Sequence, residues 1–198
     1  MIIQSHTLLA KFLHWGFVIL YSYGIIKQID DLSQLEDQGL LIFEIIFAIS
    51  FLAIVIFRYL YMKNFETFLG AKIKIHKIHT IMARTTHMLI YLSLVLLPTS
   101  GLLIAGLYSF GVKDGIFQDI AIGIHEFSAA MSYILILIHI GAAVYSNLKG
   151  EGVWTSMVPV IKEKQMANNQ FIKKVNEGEK ILLDKIENYF FSKDNTNK

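Results

Sequence analysis

The chain has no cysteine and only two prolines among its 198 residues. The missing thiols exclude cysteine nucleophiles, iron–sulfur clusters ligated by this chain and zinc sites built on cysteine. Charged residues are also scarce, at 17%, against about 25% in ordinary soluble domains. A formal net charge of +2 is too small to indicate nucleic-acid binding. Hydrophobic residues make up 54% and the mean hydropathy is +0.50, so the composition is typical of a membrane protein.

Four stretches with almost no charge are long enough to be membrane-spanning helices. They are 12–26, 39–57, 85–112 and 120–148, and Glu44 and Glu126 are the only formal charges in them. A bilayer core requires about 20 apolar residues per helix. The first stretch is shorter, but Lys27 beside it can extend its side chain to the interface. The sequence therefore predicts an all-α fold, with an integral membrane four-helix bundle in residues 1–150.

Residues 151–198 are predicted to form a separate tail. Apolar residues recur there near helical spacing among lysines and glutamates, which indicates a short amphipathic helix on the membrane or against a partner, with a solvated tail as the alternative. Lysine and arginine are concentrated between the second and third stretches and after the fourth, whereas the first connection is acidic. By the positive-inside rule, both termini and the tail face the cytoplasm.

Four of the seven histidines lie inside the apolar stretches, namely His14, His87, His125 and His139. An ionisable side chain in the bilayer core is costly and usually faces the bundle interior. His125 and His139 are 14 residues apart, close to four helical turns, so they share a face about 21 Å apart along the axis. Two histidines stacked in this way suit two haems, each taking one axial nitrogen from this helix. The alternative is two unrelated histidines hydrogen-bonded to neighbouring helices.

A haem between helices normally needs a ligand from a second helix. His14 lies near the start of the first stretch, beside the interface-favouring Trp15, and is expected at the depth of His139. His87 is expected near the same depth and competes as the ligand. Arg58 can pair with a haem propionate or serve as a positive-inside anchor.

These residues occur in motifs that resemble the prokaryotic cytochrome b561 family, whose relatives include the cytochrome b subunits of nickel hydrogenases and formate dehydrogenases. The resemblance covers about residues 8–158, and its motifs are Leu13-His14-Trp15, Arg58, His87-x-x-x-Tyr91, Leu97-Pro98-x-x-Gly101, His125-Glu126 and His139-x-x-Ala142-Ala143. It implies a four-helix, di-haem carrier that exchanges electrons with quinone in the bacterial inner membrane. Such a chain works as an electron-transfer protein, or as a quinol-dependent oxidoreductase or a subunit of one.

Carried over by position, the resemblance implies that His14 and His139 ligate the cytoplasmic-side haem b and that His125 ligates the outer one. His87 is then not an axial ligand and serves a quinone or a haem propionate. The family places a second outer ligand, a histidine, where this sequence has Glu44. We therefore expect one firmly held bis-histidine haem and an outer site that is empty or high-spin. Without iron there, we expect Glu44 to hydrogen-bond to His125.

The expected partners are quinone or quinol, membrane lipid and a redox partner protein, and the sequence leaves a homodimer open. No nucleophile or acid–base pair marks a catalytic residue, so the sequence does not decide whether the chain is an enzyme. The alternative function is a small transporter that uses Glu44, Glu126 and the histidines as a proton relay. His76 and His79 have a metal-compatible spacing, but a solvated or headgroup-contacting role is the favoured interpretation in so basic a connection.

Overall fold

The computed structural model of the chain describes residues 6–29, 31–65, 77–149, 154, 157, 158 and 170–191. Within these residues there are five α-helices, one 3-10 segment and no strand: α1 Leu8–Ile26, the 3-10 segment Leu32–Glu36, α2 Gln38–Phe65, α3 Lys77–Ser109, α4 Ile116–Lys149 and α5 Gln170–Phe191. The first four α-helices are long and apolar enough to cross a membrane. The predicted all-α class, the four spans and the C-terminal helix are therefore confirmed.

All four spans begin before the uncharged stretches from which they were predicted, whereas α3 ends at Ser109, before the end of the stretch 85–112. α2 continues through Arg58 and Lys63, and α3 begins at Lys77 and includes Arg84. The physical reason is that long basic side chains reach polar surroundings while their backbone stays in the helix. The absence of charge therefore marks the apolar core of a span but underestimates the length of its helix.

Short side chains and glycine determine where the helices begin and end. Asp31 and Asp37 each accept a backbone N–H two residues further on, at 2.9 and 2.7 Å, at the starts of the 3-10 segment and of α2. The acidic first connection therefore caps helices. α3 ends where Gly111 adopts a φ of +84°, and the N–H of Val112 donates to the carbonyl of Leu107 at 2.9 Å. This is a Schellman motif, and glycine tolerates its positive φ without the steric cost of a Cβ.

The described residues divide into two compact units. The first unit contains α1, the 3-10 segment, α2 and two helical segments, 87–109 of α3 and 116–137 of α4, with the connection between them. The second unit contains His6, residues 77–86 of α3, residues 138–149 of α4, the described residues at 154, 157 and 158, and α5.

The core of the first unit combines aromatic rings with small side chains. Phe17 of α1 packs on Phe51 of α2 with ring centroids 5.1 Å apart, and Tyr21 Oη lies 2.6 Å from Ser132 Oγ of α4. Small residues let helices approach closely inside a membrane. Those buried here are Ala10, Ser93, Ser100, Ala105, Ala121, Ser128 and Ser132. Many large apolar side chains are exposed instead, as expected of faces that meet lipid.

In the second unit, α5 is held against the ends of α3 and α4 by one carboxylate. Glu179 accepts a hydrogen bond from Tyr145 Oη at 2.6 Å and forms an ion pair with Lys149 Nζ at 3.1 Å, and its other carboxylate oxygen lies 2.8 Å from His79 Nε2. One turn further on, Leu183 is buried. The amphipathic helix therefore has a partner within its own chain, and His79 makes one of its contacts. His76 lies outside the described residues.

Candidate functional site

Arg58 joins two residues of the family motifs in the first unit. Its Nη1 donates to Tyr91 Oη at 2.8 Å, and its Nη2 lies 3.0 Å from Nδ1 of His14. The guanidinium carbon is also 5.5 Å from the centre of the Tyr91 ring. Because arginine only donates, Nδ1 of His14 must accept. Neutral His14 in this arrangement therefore carries its proton on Nε2.

This tautomer bears directly on the predicted role of His14. An imidazole that binds iron through Nε2 normally carries its proton on Nδ1, where it donates to a neighbouring acceptor. Arg58 would therefore have to leave His14 before iron could bind in that way. The Nε of Arg58 is buried and has no hydrogen-bond partner among the described residues. A carboxylate such as a haem propionate would satisfy this donor, so these residues fit a haem beside His14 if Arg58 turns to the propionate.

His125 is held in the opposite tautomer. Its Nδ1 lies 3.0 Å from the carbonyl oxygen of Leu97 and 3.1 Å from Ser100 Oγ. The carbonyl can only accept, so Nδ1 carries the proton and Nε2 carries a lone pair. A Cβ on Gly101 would lie 3.4 Å from Cε1 of His125, which shows how closely the ring approaches α3. Within the described part of the chain, Nε2 has no hydrogen-bond partner.

His125 opens onto a cavity of about 480 Å³, within the usual size range for small-molecule sites. We call it the His125 cavity. All of its lining residues belong to the first unit, and its ionisable groups are Tyr21, Lys27, Asp31, Glu44, His125, Glu126 and Tyr133. Its apolar walls include two phenylalanines of α2, Phe47 and Phe51.

Glu44 does not hydrogen-bond to His125 as expected, but forms an ion pair with Lys27. The ammonium also lies 4.3 Å from the centre of the Phe47 ring. The physical reason is that α1 ends and α2 begins at the same side of the first unit, and a charged amine outcompetes a neutral imidazole for a carboxylate. The other carboxylate oxygen, Glu44 Oε1, is buried and has no partner among the described residues.

The remaining predicted site residues lie elsewhere on the same helices. His87 is half-buried on the α3 segment of the first unit, and His139 is half-buried on the α4 segment of the second unit. The pairing of His14 with His139 on one iron therefore stays a prediction.

Two contacts of the site were missed by reasoning from the sequence. The Lys27–Glu44 pair had a signal, because a lysine that ends one span and a glutamate that lies early in the next meet when a short connection joins antiparallel helices. The sequence signal for the Tyr91–Arg58 hydrogen bond was weaker. Both residues belong to quoted motifs, but nothing in either motif shows that they face each other.

Comparison with protein families identifies one match. The model of the prokaryotic cytochrome b561 family matches residues 5–160, which include all four spans. Comparison with curated proteins and with solved structures finds no match. Members of this family are membrane proteins that generally transfer electrons through haem b. The chain therefore belongs to the prokaryotic cytochrome b561 family.

Proposed function

We propose that this protein carries electrons between the quinone pool and a partner protein through one haem b ligated by His14 and His139. Bound haem b supplies a one-electron redox centre, and two imidazole ligands keep its iron low-spin. The observation that supports this site most directly is the Arg58–His14 contact. This contact places the guanidinium of Arg58 beside the proposed ligand. The Nε of Arg58 is buried and has no hydrogen-bond partner among the described residues. A haem propionate beside His14 would be held by such a donor.

The chain's own residues divide the work of holding this group. His14 and His139 would hold the haem iron through their imidazole nitrogens, and Arg58 would bind a propionate after leaving His14. Tyr91 orients Arg58 through its hydrogen bond. His87 is not an axial ligand in this proposal. The protein is a multi-pass protein of the bacterial inner membrane with both termini in the cytoplasm.

Ligand assignment by mutation tests the proposal. His14→Ala and His139→Ala should each abolish the low-spin signal in electron paramagnetic resonance spectra, because each removes one of two nitrogens. His87→Ala is the matched control, an intramembrane histidine on a neighbouring helix, and should leave that signal unchanged. An unaltered low-spin signal in either of the first two variants would refute the ligand pair. Loss of the signal in His87→Ala alone would move the ligand to α3.

Electron transfer and the alternative proton-relay transporter differ in one simple measurement. Membranes that contain the overproduced protein should show haem b absorption bands after reduction with dithionite. The pairing of Glu44 with Lys27 occupies one of the carboxylates on which the transporter interpretation depends. A folded protein without colour would overturn the cytochrome proposal.

A further inference from the structure

The His125 cavity does not fit a second low-spin haem b. His125 offers an open Nε2, but the group expected opposite it, Glu44, is held by Lys27. The lining contains three carboxylates, those of Asp31, Glu44 and Glu126, against a single ammonium. Haem propionates need cationic partners, and this lining would repel them.

The same groups fit a neutral ring that carries hydroxyl groups. His125 and Glu44 both line the cavity, and neither His125 Nε2 nor Glu44 Oε1, which is buried, has a hydrogen-bond partner among the described residues. A buried acceptor left unpaired is costly, so a ligand with hydroxyl donors would satisfy both. Phe47 and Phe51 supply aromatic walls against which a flat ring can stack.

We infer that the His125 cavity binds the headgroup of a quinol, with its hydroxyls donating to His125 Nε2 and to the Glu44 carboxylate. The ion pair with Lys27 holds the Glu44 carboxylate in place, and Lys27 itself also lines the cavity. The apolar wall accepts the ring itself. This inference rests on the proposed function, because it names the place where the quinone pool meets the protein.

Photolabelling of the unmodified protein tests the position of the ring. The purified, haem-loaded protein is irradiated with a short-chain azidoquinone that has been reduced to the quinol, and the labelled peptides are identified by mass spectrometry. Labels should fall on α2 around Phe47 and on α4 around His125, and excess unlabelled quinol should suppress them. Labels confined to the surroundings of His87 and Arg58 would overturn the inference. This experiment needs no variant that might fail to fold.

A double variant tests the polar contacts. Lys27→Met with Glu44→Leu removes the ion pair without leaving one charge buried alone, and the dissociation constant of a short-chain quinol should rise about tenfold or more. The matched control is Lys113→Met with Glu36→Leu, which removes an exposed ion pair of 3.1 Å outside the cavity. Equal affinity in both double variants would overturn the inference.

The outcomes separate this inference from the proposed function. If quinol reduces the haem but the labels lie elsewhere, the electron-transfer function stands and the His125 cavity is not its quinol site. If quinol neither labels the protein nor reduces the haem, both proposals fail. Pyridine haemochrome analysis that finds two haems per chain, both low-spin, would show that a haem fills the cavity and would also overturn the inference.

Discussion

Replacing Glu179 with glutamine should loosen the C-terminal helix by a measurable amount. The carboxylate of Glu179 accepts from Tyr145 Oη at 2.6 Å and from Lys149 Nζ at 3.1 Å. A hydrogen bond to a charged group contributes about 1.5–3 kcal/mol. Glutamine keeps one carbonyl acceptor but loses the charge, so we expect docking of α5 to weaken by about 2–3 kcal/mol. That corresponds to a change of roughly 30- to 150-fold in the docking equilibrium.

Hydrogen exchange of the α5 amides measures this change directly. Amides that exchange through undocking report the free energy of local opening, so their exchange should accelerate by the same factor in Glu179→Gln. Glu177→Gln is the matched control, because Glu177 is an exposed glutamate of the same helix and undergoes the same change of charge. Equal exchange rates in the two variants would show that Glu179 does not hold the helix.

Acid should have the same effect as the substitution. Partial burial raises the pKa of Glu179, but hydrogen bonds from Tyr145 and Lys149, together with the charges of Lys149 and His79, outweigh it and lower that pKa below its ordinary value of 4.5. A carboxylate with a lowered pKa stabilises the docked state fully above its undocked pKa. This contribution is lost as the pH falls from about 4.5 through the lowered pKa. Exchange in α5 should accelerate over that range in the wild-type protein and less in Glu179→Gln.

Two further predictions concern the first unit. Gly101→Leu should displace the ring of His125, because a Cβ at this position would lie 3.4 Å from Cε1 and the further atoms of leucine would crowd the imidazole. Quinol binding should therefore weaken, and unchanged binding would refute this close approach. A double-mutant cycle of Arg58→Met and Tyr91→Phe, measured by denaturant unfolding in detergent, should give a coupling of about 1–2 kcal/mol, because the hydrogen bond of 2.8 Å is charge-assisted and joins two spans. A coupling near zero would show that Tyr91 does not orient Arg58.

The elements of the fold followed from the sequence because each depends on local properties of the chain. Long runs without charge predict membrane helices, and periodic apolar residues in the tail predict α5. Boundaries were less predictable. Basic residues such as Arg58 and Lys63 remain inside α2, since a helix continues where its side chains can still reach polar surroundings.

The candidate site was only partly predictable. The sequence by itself determined which helices carry the histidines and that Glu44 stands where the family has a histidine. Only the tertiary structure decided that Glu44 pairs with Lys27 and that His14 and His125 are held in opposite tautomers. The physical reason is that each residue turns a helix by about 100°. Which side chains meet therefore depends on how each helix is rotated and how deep it lies against its neighbours, and packing determines both.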